Sequence, residues 1–178
     1  EVDAQGAYRV GYVAHNHHFL WAAASMAGRR SLAMQAAQAA WPAACGPSGR
    51  DPGTAIAQQY AVLPYFTLVR FGAWSTLLVD TRPPDAPGPY PQAVWHYARG
   101  TALARTGQLD AAAHELGRLE RLAAEPSLRA MKLKNINAAA ELARIAVLTL
   151  RADIALGRGD APAAVVLLRE ATQIEDAL

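Results

Sequence analysis

The chain has 178 residues, which is enough for one domain with a continuous hydrophobic core. Its formal charge of +2 is too small to indicate a nucleic-acid partner, and its apolar runs are too short to cross a bilayer, so neither nucleic acid nor membrane is predicted as a partner. Hydrophobic residues make up 52% of the chain and aromatic residues only 7%, because alanine dominates the apolar set, and this balance favours closely packed helices over a sheet.

The first predicted unit covers residues 8–44 and contains two helices that meet near Gly28. In its first helix, His15 and His18 lie three residues apart and therefore share one face. Two imidazoles on one face can bind Zn²⁺ or Cu²⁺, line a polar ligand site, or hydrogen-bond to neighbouring helices. Tyr12 is a further ligand candidate, since a phenol packs its ring and offers its hydroxyl.

The second predicted unit covers residues 54–80. Pro64 removes one i to i−4 hydrogen bond from its first helix, which predicts a kink, and its second helix is predicted to stop early. The connection that follows, residues 81–91, contains five prolines and one glycine in eleven residues. Such a composition predicts a rigid, extended and non-helical segment.

The third predicted unit covers residues 90–124 and is a tight helix pair. The fourth covers residues 127–177 and begins with a short helix that runs to about Asn135, before a long helix. Asp160 is predicted to cap the last helix, and Pro162 is tolerated in its first turn, where no intrahelical N–H bond is lost. No stretch alternates β-branched residues with a period of two, so the sequence predicts no strands.

Four glycines end helix-length apolar segments and have similar residues at matching distances. The glycines are Gly28, Gly72, Gly107 and Gly159; five residues after them come Ala33, Leu77, Ala112 and Ala164, and seven before them Trp21, Tyr65, Gly100 and Ala152. A glycine with positive φ can end one helix, and a small residue one turn into the next lets the two helices cross closely. The pattern predicts an all-α fold, an α-solenoid of about four antiparallel helix pairs, with Ala112 and Ala164 nearly inaccessible to solvent.

The third unit reads YPQAVWHYARGTALARTGQLDAAAHELGRLERL and resembles a tetratricopeptide repeat (TPR) in the spacing of Gly100, Gly107, Leu109 and Ala112. The segments around Gly28 and Gly159 are similar to the same repeat. The four glycines are separated by 44, 35 and 52 residues, whereas the TPR period is about 34. The resemblance therefore implies a single TPR-like domain over residues 1–178, wound as a right-handed superhelix with irregular loops.

Two segments narrow this resemblance to a group of larger bacterial TPR-containing proteins. Members of that group carry a His-Asn-x-His-Phe-Leu helix, found here at residues 15–20, and a Trp-His-Tyr-Ala-Arg-Gly helix, found here at residues 95–100. The likeness implies that the chain is an internal part of a longer protein.

The TPR resemblance also implies which residues face the concave groove of the solenoid. These are Tyr12, His15, His18, Tyr97, Thr101 and Asp153, together with Thr149. His96 is expected to lean into the seam between two helices. If the superhelix brought it close to His15 and His18, the three imidazoles could form one Zn²⁺ or Cu²⁺ site.

Two functions remain open from the sequence. The first is a scaffold that binds a peptide or partner protein in its concave groove, because the curvature of a solenoid gives an extended groove without catalytic machinery. The second is a metal- or small-molecule-binding protein, including an enzyme, that uses His15, His18 and His96. The chain contains no G-x-S-x-G, H-E-x-x-H, P-loop or dinucleotide motif. By analogy the fold favours the scaffold, whereas the His-Asn-x-His pattern favours the second function, because a scaffold needs no such residues.

Overall fold

The structure of the chain is a computed structural model that describes residues 7–45, 51, 53–79, 83–133 and 136–178, with side chains from Tyr12 onward. The described part is mostly helical, as the sequence predicts. The helices are α1 (Ala7–Met26), α2 (Arg30–Ala44), α3 (Ala55–Ala61), α4 (Leu63–Arg70), α5 (Trp74–Val79), α6 (Pro89–Arg105), α7 (Leu109–Ala123), α8 (Pro126–Ala130), α9 (Ala139–Gly157) and α10 (Ala161–Glu175).

Four of the turns between these helices share one hydrogen-bond pattern. They contain Gly28, Gly72, Gly107 and Gly159, whose φ angles lie between 62° and 82°. In each turn the glycine N–H donates to the carbonyl three residues earlier, and the next N–H donates to the carbonyl five residues earlier. This is the Schellman pattern, which requires the positive φ that glycine adopts without strain. The predicted helix ends at these four glycines are therefore confirmed.

Small residues after these turns allow close helix crossings. Ala112 and Ala164 are 0% and 1% exposed, so their predicted burial is confirmed. Gly100 marks another close approach, because a Cβ built there would lie 2.6 Å from Leu150 Cδ2 and 3.2 Å from Glu115 Cβ. Helix α6 therefore lies close to both α7 and α9 at this point.

The helices pack mainly on neighbours in the chain. α1 packs mostly on α2, α2 contacts α3 and α4, and both α4 and α5 contact α6. α6 in turn packs against α7 and α9, and α10 packs mostly on α9. The buried apolar residues form four clusters along this series, which together make the core.

Some predicted boundaries differ from the structure near prolines. The helix expected to kink at Pro64 is instead two helices, α3 and α4, because the break falls at Val62 and Pro64 lies in the first turn of α4. The connection expected over residues 81–91 ends earlier, since α6 starts at Pro89. Proline fits the first turn of a helix, where its missing N–H has no intrahelical partner.

The segment between α8 and α9 also differs from the prediction. The helix expected to reach Asn135 ends at Ala130, and β1 (Lys132–Leu133) pairs antiparallel with β2 (Asn137–Ala138). Asn135 itself lies outside the described residues, as do Asp80 and residues 81–82 of the predicted connection. The cap on α10 is confirmed, because Asp160 Oδ1 accepts a hydrogen bond of 3.0 Å from Ala163 N.

Candidate functional site

Two of the residues predicted to face the groove line a common cavity. This cavity, named here the α6 cavity, has a volume of about 300 Å³ and is enclosed by α4, α6 and α9. Phe66 comes from α4, Tyr97 from α6, and Ile145 and Thr149 from α9. Its walls are mostly apolar, and its polar side-chain groups are the hydroxyls of Tyr90, Tyr97 and Thr149. Helical periodicity determines which face of α6 carries Tyr97 and which face of α9 carries Thr149. These two faces meet at the cavity.

Thr101 lies one turn beyond Tyr97 and is buried. Other helical threonines, such as Thr67 and Thr149, donate to the carbonyl four residues earlier at 2.8 Å. Within the described part of the chain, the Thr101 hydroxyl makes no hydrogen bond of ordinary geometry. It lies beside the Tyr97 phenol without reaching that geometry, and its interaction with the phenol opposes the rise that burial causes in the pKa of Tyr97. Buried hydroxyls are normally paired, so Thr101 stands out among the threonines of this protein.

Asp153 lies one turn beyond Thr149 on α9 and is only 7% exposed. Its Oδ1 lies 2.7 Å from a guanidinium nitrogen of Arg105, whose side chain is 52% exposed. Burial raises the pKa of Asp153 above its usual value, and the Arg105 charge offsets that rise only in part. Burial, followed by the Asp153 charge, also raises the pKa of Tyr97. A desolvated carboxylate therefore lies beside the α6 cavity.

Tyr12, His15 and His18 lie elsewhere, on α1. The His15 ring lies 4.5 Å from the Phe19 ring, and His18 stacks on Trp21 at 5.5 Å between ring centroids. Among the described residues, none from α1 lines the α6 cavity. The structure therefore divides the predicted groove residues into a group on α1 and a group on α6 and α9.

His96 lies in the seam between α6 and α7, as predicted, and there meets a residue that the sequence analysis missed. His96 Nδ1 is 2.6 Å from Glu115 Oε2, and Arg99 Nε is 3.4 Å from Glu115 Oε1. Burial pushes the pKa of Glu115 upward, but its hydrogen bond and charge interaction with His96 and the nearby arginines outweigh burial and leave the pKa lowered. His96 and Glu115 are 19 positions apart in the sequence, so no local pattern predicted this pair.

The three predicted metal ligands are not assembled into one group. In the described ranges, no three His, Cys, Asp or Glu side chains are placed to hold a metal ion together. His96 is engaged by Glu115, whereas His15 and His18 pack among the aromatic rings of α1 and Tyr60. Helical periodicity could place His15 and His18 on one face but could not give their distance from His96.

Comparison with protein-family models, curated proteins and solved structures finds no match to this chain. Functional inference therefore rests on the residues described above. Among the described helices, none is both long enough and apolar enough to span a membrane.

Proposed function

We propose that this protein is a TPR-type helical-repeat scaffold that binds a peptide, or an extended segment of a partner protein, in a concave groove. The groove would be formed by α1, α4, α6 and α9, each of which opens a helix pair. Four turns with the same hydrogen bonds support repeated pairs, as do the buried residues at equal distances after them. Packing between successive helices also fits a solenoid, in which each unit buries its apolar face against its neighbours.

The observation that carries the proposal is the α6 cavity. It lies where three of the pair-opening helices meet, α4, α6 and α9. Its volume of about 300 Å³ falls at the lower end for ligand pockets, and its mostly apolar lining suits one apolar side chain. A peptide lying in the groove would bury such a side chain as its anchor, and buried anchors commonly contribute most of the binding energy.

Polar groups beside the cavity would orient the peptide backbone. The Thr101 hydroxyl is buried without an ordinary hydrogen bond, and the Asp153 carboxylate is desolvated beside Tyr97. A carboxylate accepts hydrogen bonds, so Asp153 suits a peptide N–H group, and Thr101 is placed to position the Tyr97 hydroxyl. A carboxylate whose pKa is raised by burial weakens the folded state at neutral pH, and such groups are concentrated at functional sites.

Filling the α6 cavity tests this proposal. Peptides selected on the wild-type protein from a library of random linear peptides should carry a common apolar residue. Ala146→Phe would place a ring in the cavity and should weaken the selected peptides by about tenfold or more. Ala161→Phe, at the exposed start of α10, serves as the matched control and should leave affinity unchanged. Equal affinity of wild type and Ala146→Phe would contradict the proposal.

A further inference from the structure

A second opening, named here the α2 cleft, lies between α2, α4 and the connection at residues 83–86. It has a volume of about 800 Å³ and shares no lining residue with the α6 cavity. Arg30 and Trp41, which both line it, are eleven residues apart on α2. That separation corresponds to about 16 Å along the helix, a length that roughly five residues of extended chain would span.

Trp41, whose side chain lines the α2 cleft, has an unused hydrogen-bond donor. Its indole Nε1 is fully buried and has no hydrogen-bond partner in the part of the chain that the structure describes. By contrast, Trp21 Nε1 donates to Thr67 Oγ1 at 2.8 Å. A buried donor without an acceptor destabilises a protein, so a ligand oxygen that reached this N–H would satisfy it.

Two opposite charges line the same cleft without neutralising each other. Neither Arg30 nor Asp85 forms an ion pair with any described residue. Arg30 is the first residue of α2, a helix with no acidic residue in its first turn and no side-chain cap, so the helix N-terminus adds to its positive potential. Asp85 lies near Tyr65, and burial together with the Asp85 charge raises the pKa of that phenol to about 12.

Apolar and proline residues make up much of the remaining wall. Met34 and Leu68 are apolar wall residues, and Pro64, Pro83 and Pro84 are the prolines. Proline has no N–H, so these residues offer no backbone hydrogen-bond donor to a ligand's carbonyl groups. The indole N–H of Trp41 is a donor in the same wall. A peptide in an extended or polyproline conformation leaves its carbonyls unpaired, and rigid aromatic and proline surfaces suit such a backbone.

We infer that the α2 cleft binds an extended peptide of about five residues with one acidic and one basic side chain. The acidic side chain faces Arg30, the basic side chain faces Asp85, and a peptide carbonyl accepts the Trp41 N–H. This site is separate from the proposed concave groove and does not depend on it.

Three capped pentapeptides test the inference by isothermal titration on the full chain: acetyl-Glu-Leu-Pro-Leu-Lys-amide, the reversed sequence, and a neutral version with glutamine at both ends. One of the two charged peptides should bind about tenfold more tightly than the neutral peptide. Arg30→Glu should remove that preference, whereas Arg29→Glu, an adjacent exposed arginine that does not line the cleft, should retain most of it.

A second pair of variants tests the indole donor. Trp41→Phe keeps a ring but removes the N–H, and it should weaken the preferred peptide by about tenfold. Trp74→Phe, at a half-buried tryptophan outside the cleft, should leave affinity unchanged, and thermal unfolding would show that both variants are folded. Ala146→Phe should also bind the peptide normally, which separates this site from the concave groove.

Three results would overturn the inference. The first is equal binding, or no binding, of all three peptides. The second is an equal loss of affinity in Arg29→Glu and Arg30→Glu, which would indicate general charge attraction. The third is full affinity in Trp41→Phe.

Discussion

The second half of the chain contains a close crossing of three helices, whereas the first half contains an open cleft. α6 lies close to α7 and α9 at Gly100, where a Cβ would force the Leu150 side chain to move, and α7 has 15 residues that pack along α6. In the first half, α5 has only six residues, and the cleft of about 800 Å³ remains open between α2, α4 and the proline-containing connection. A shortened second helix in one unit can thus leave open a cleft that a regular repeat would cover.

This comparison predicts that overpacking is tolerated less well in the second half. Ala33 and Ala112 are equivalent, fully buried positions after two of the glycine turns. Ala112→Leu should lower the free energy of unfolding by about 3 kcal/mol, since α6 is held by several helices and cannot shift. Ala33→Leu should lower it by about 1 kcal/mol, because α1 packs mostly on α2 and can move. Urea unfolding measures both, and equal losses would contradict the difference between the halves.

Glu115 should contribute to the stability of the closely packed half. Glu115→Gln weakens the contacts to His96 and Arg99 and should lower the free energy of unfolding by about 2 kcal/mol at pH 7. The pKa of Glu115 is lowered in the folded state, so its ionic contribution is present above the ordinary carboxyl pKa and is lost as pH falls through the lower, folded value. The difference between wild type and variant should therefore shrink below about pH 4.

Glu120→Gln is the matched control for Glu115→Gln. Glu120 lies on the same helix but pairs with Arg151 at an exposed position, 2.7 Å away. Exposed pairs contribute little, so this variant should lose less than about 1 kcal/mol. If the two variants lost equal stability, the buried cluster would have no special role.

The histidines of α1 should contribute less, since they lie in the more open half. His18 stacks on Trp21 and lies 5.7 Å from the Tyr60 ring, whereas His15 packs on exposed Phe19. His18→Ala should lower the free energy of unfolding by about 1 kcal/mol, and His15→Ala by less than that. Chemical denaturation of both variants checks the order, and a larger loss in His15→Ala would contradict this packing.

Asp153 is expected to show the smallest effect on stability despite its burial. Because its pKa is raised on folding, the ionised carboxylate detracts from stability at neutral pH. This effect shrinks as pH falls below the raised, folded pKa and is gone below the ordinary carboxyl pKa. Asp153→Asn removes that penalty and weakens the pair with Arg105, so unfolding at pH 7 should change by less than about 0.5 kcal/mol. Binding of groove peptides should fall, and a large loss of stability would assign Asp153 to the fold instead.

Features that depend on local sequence were predicted well. The four glycine turns and the Asp160 cap are set by residues within a few positions of one another, and the structure confirms them. Helical periodicity determines the face of α6 that carries Tyr97 and the face of α9 that carries Thr149, and both faces line one cavity. The TPR identity and its superhelical winding remain predictions.

Features that depend on distant residues were not predicted. Glu115 meets His96 across a turn, and His96 is not grouped with His15 and His18, because tertiary packing determines these distances. The position of Trp41 in the wall of the α2 cleft also gave no signal, since the cleft depends on where α5 ends and where residues 83–86 pass. The short β1–β2 ladder has two residues per strand, too few for an alternating pattern to reveal.

The central position of α6 has a consequence for hydrogen exchange. This helix contacts α3, α4, α5, α7, α8 and α9, whereas α1 and α10 each pack mostly on a single partner. An end helix with one partner can open while the rest of the molecule stays folded, so its amide protons exchange with solvent early. The amides of α6 become accessible only when nearly every neighbouring helix has separated, and they are therefore the last to exchange.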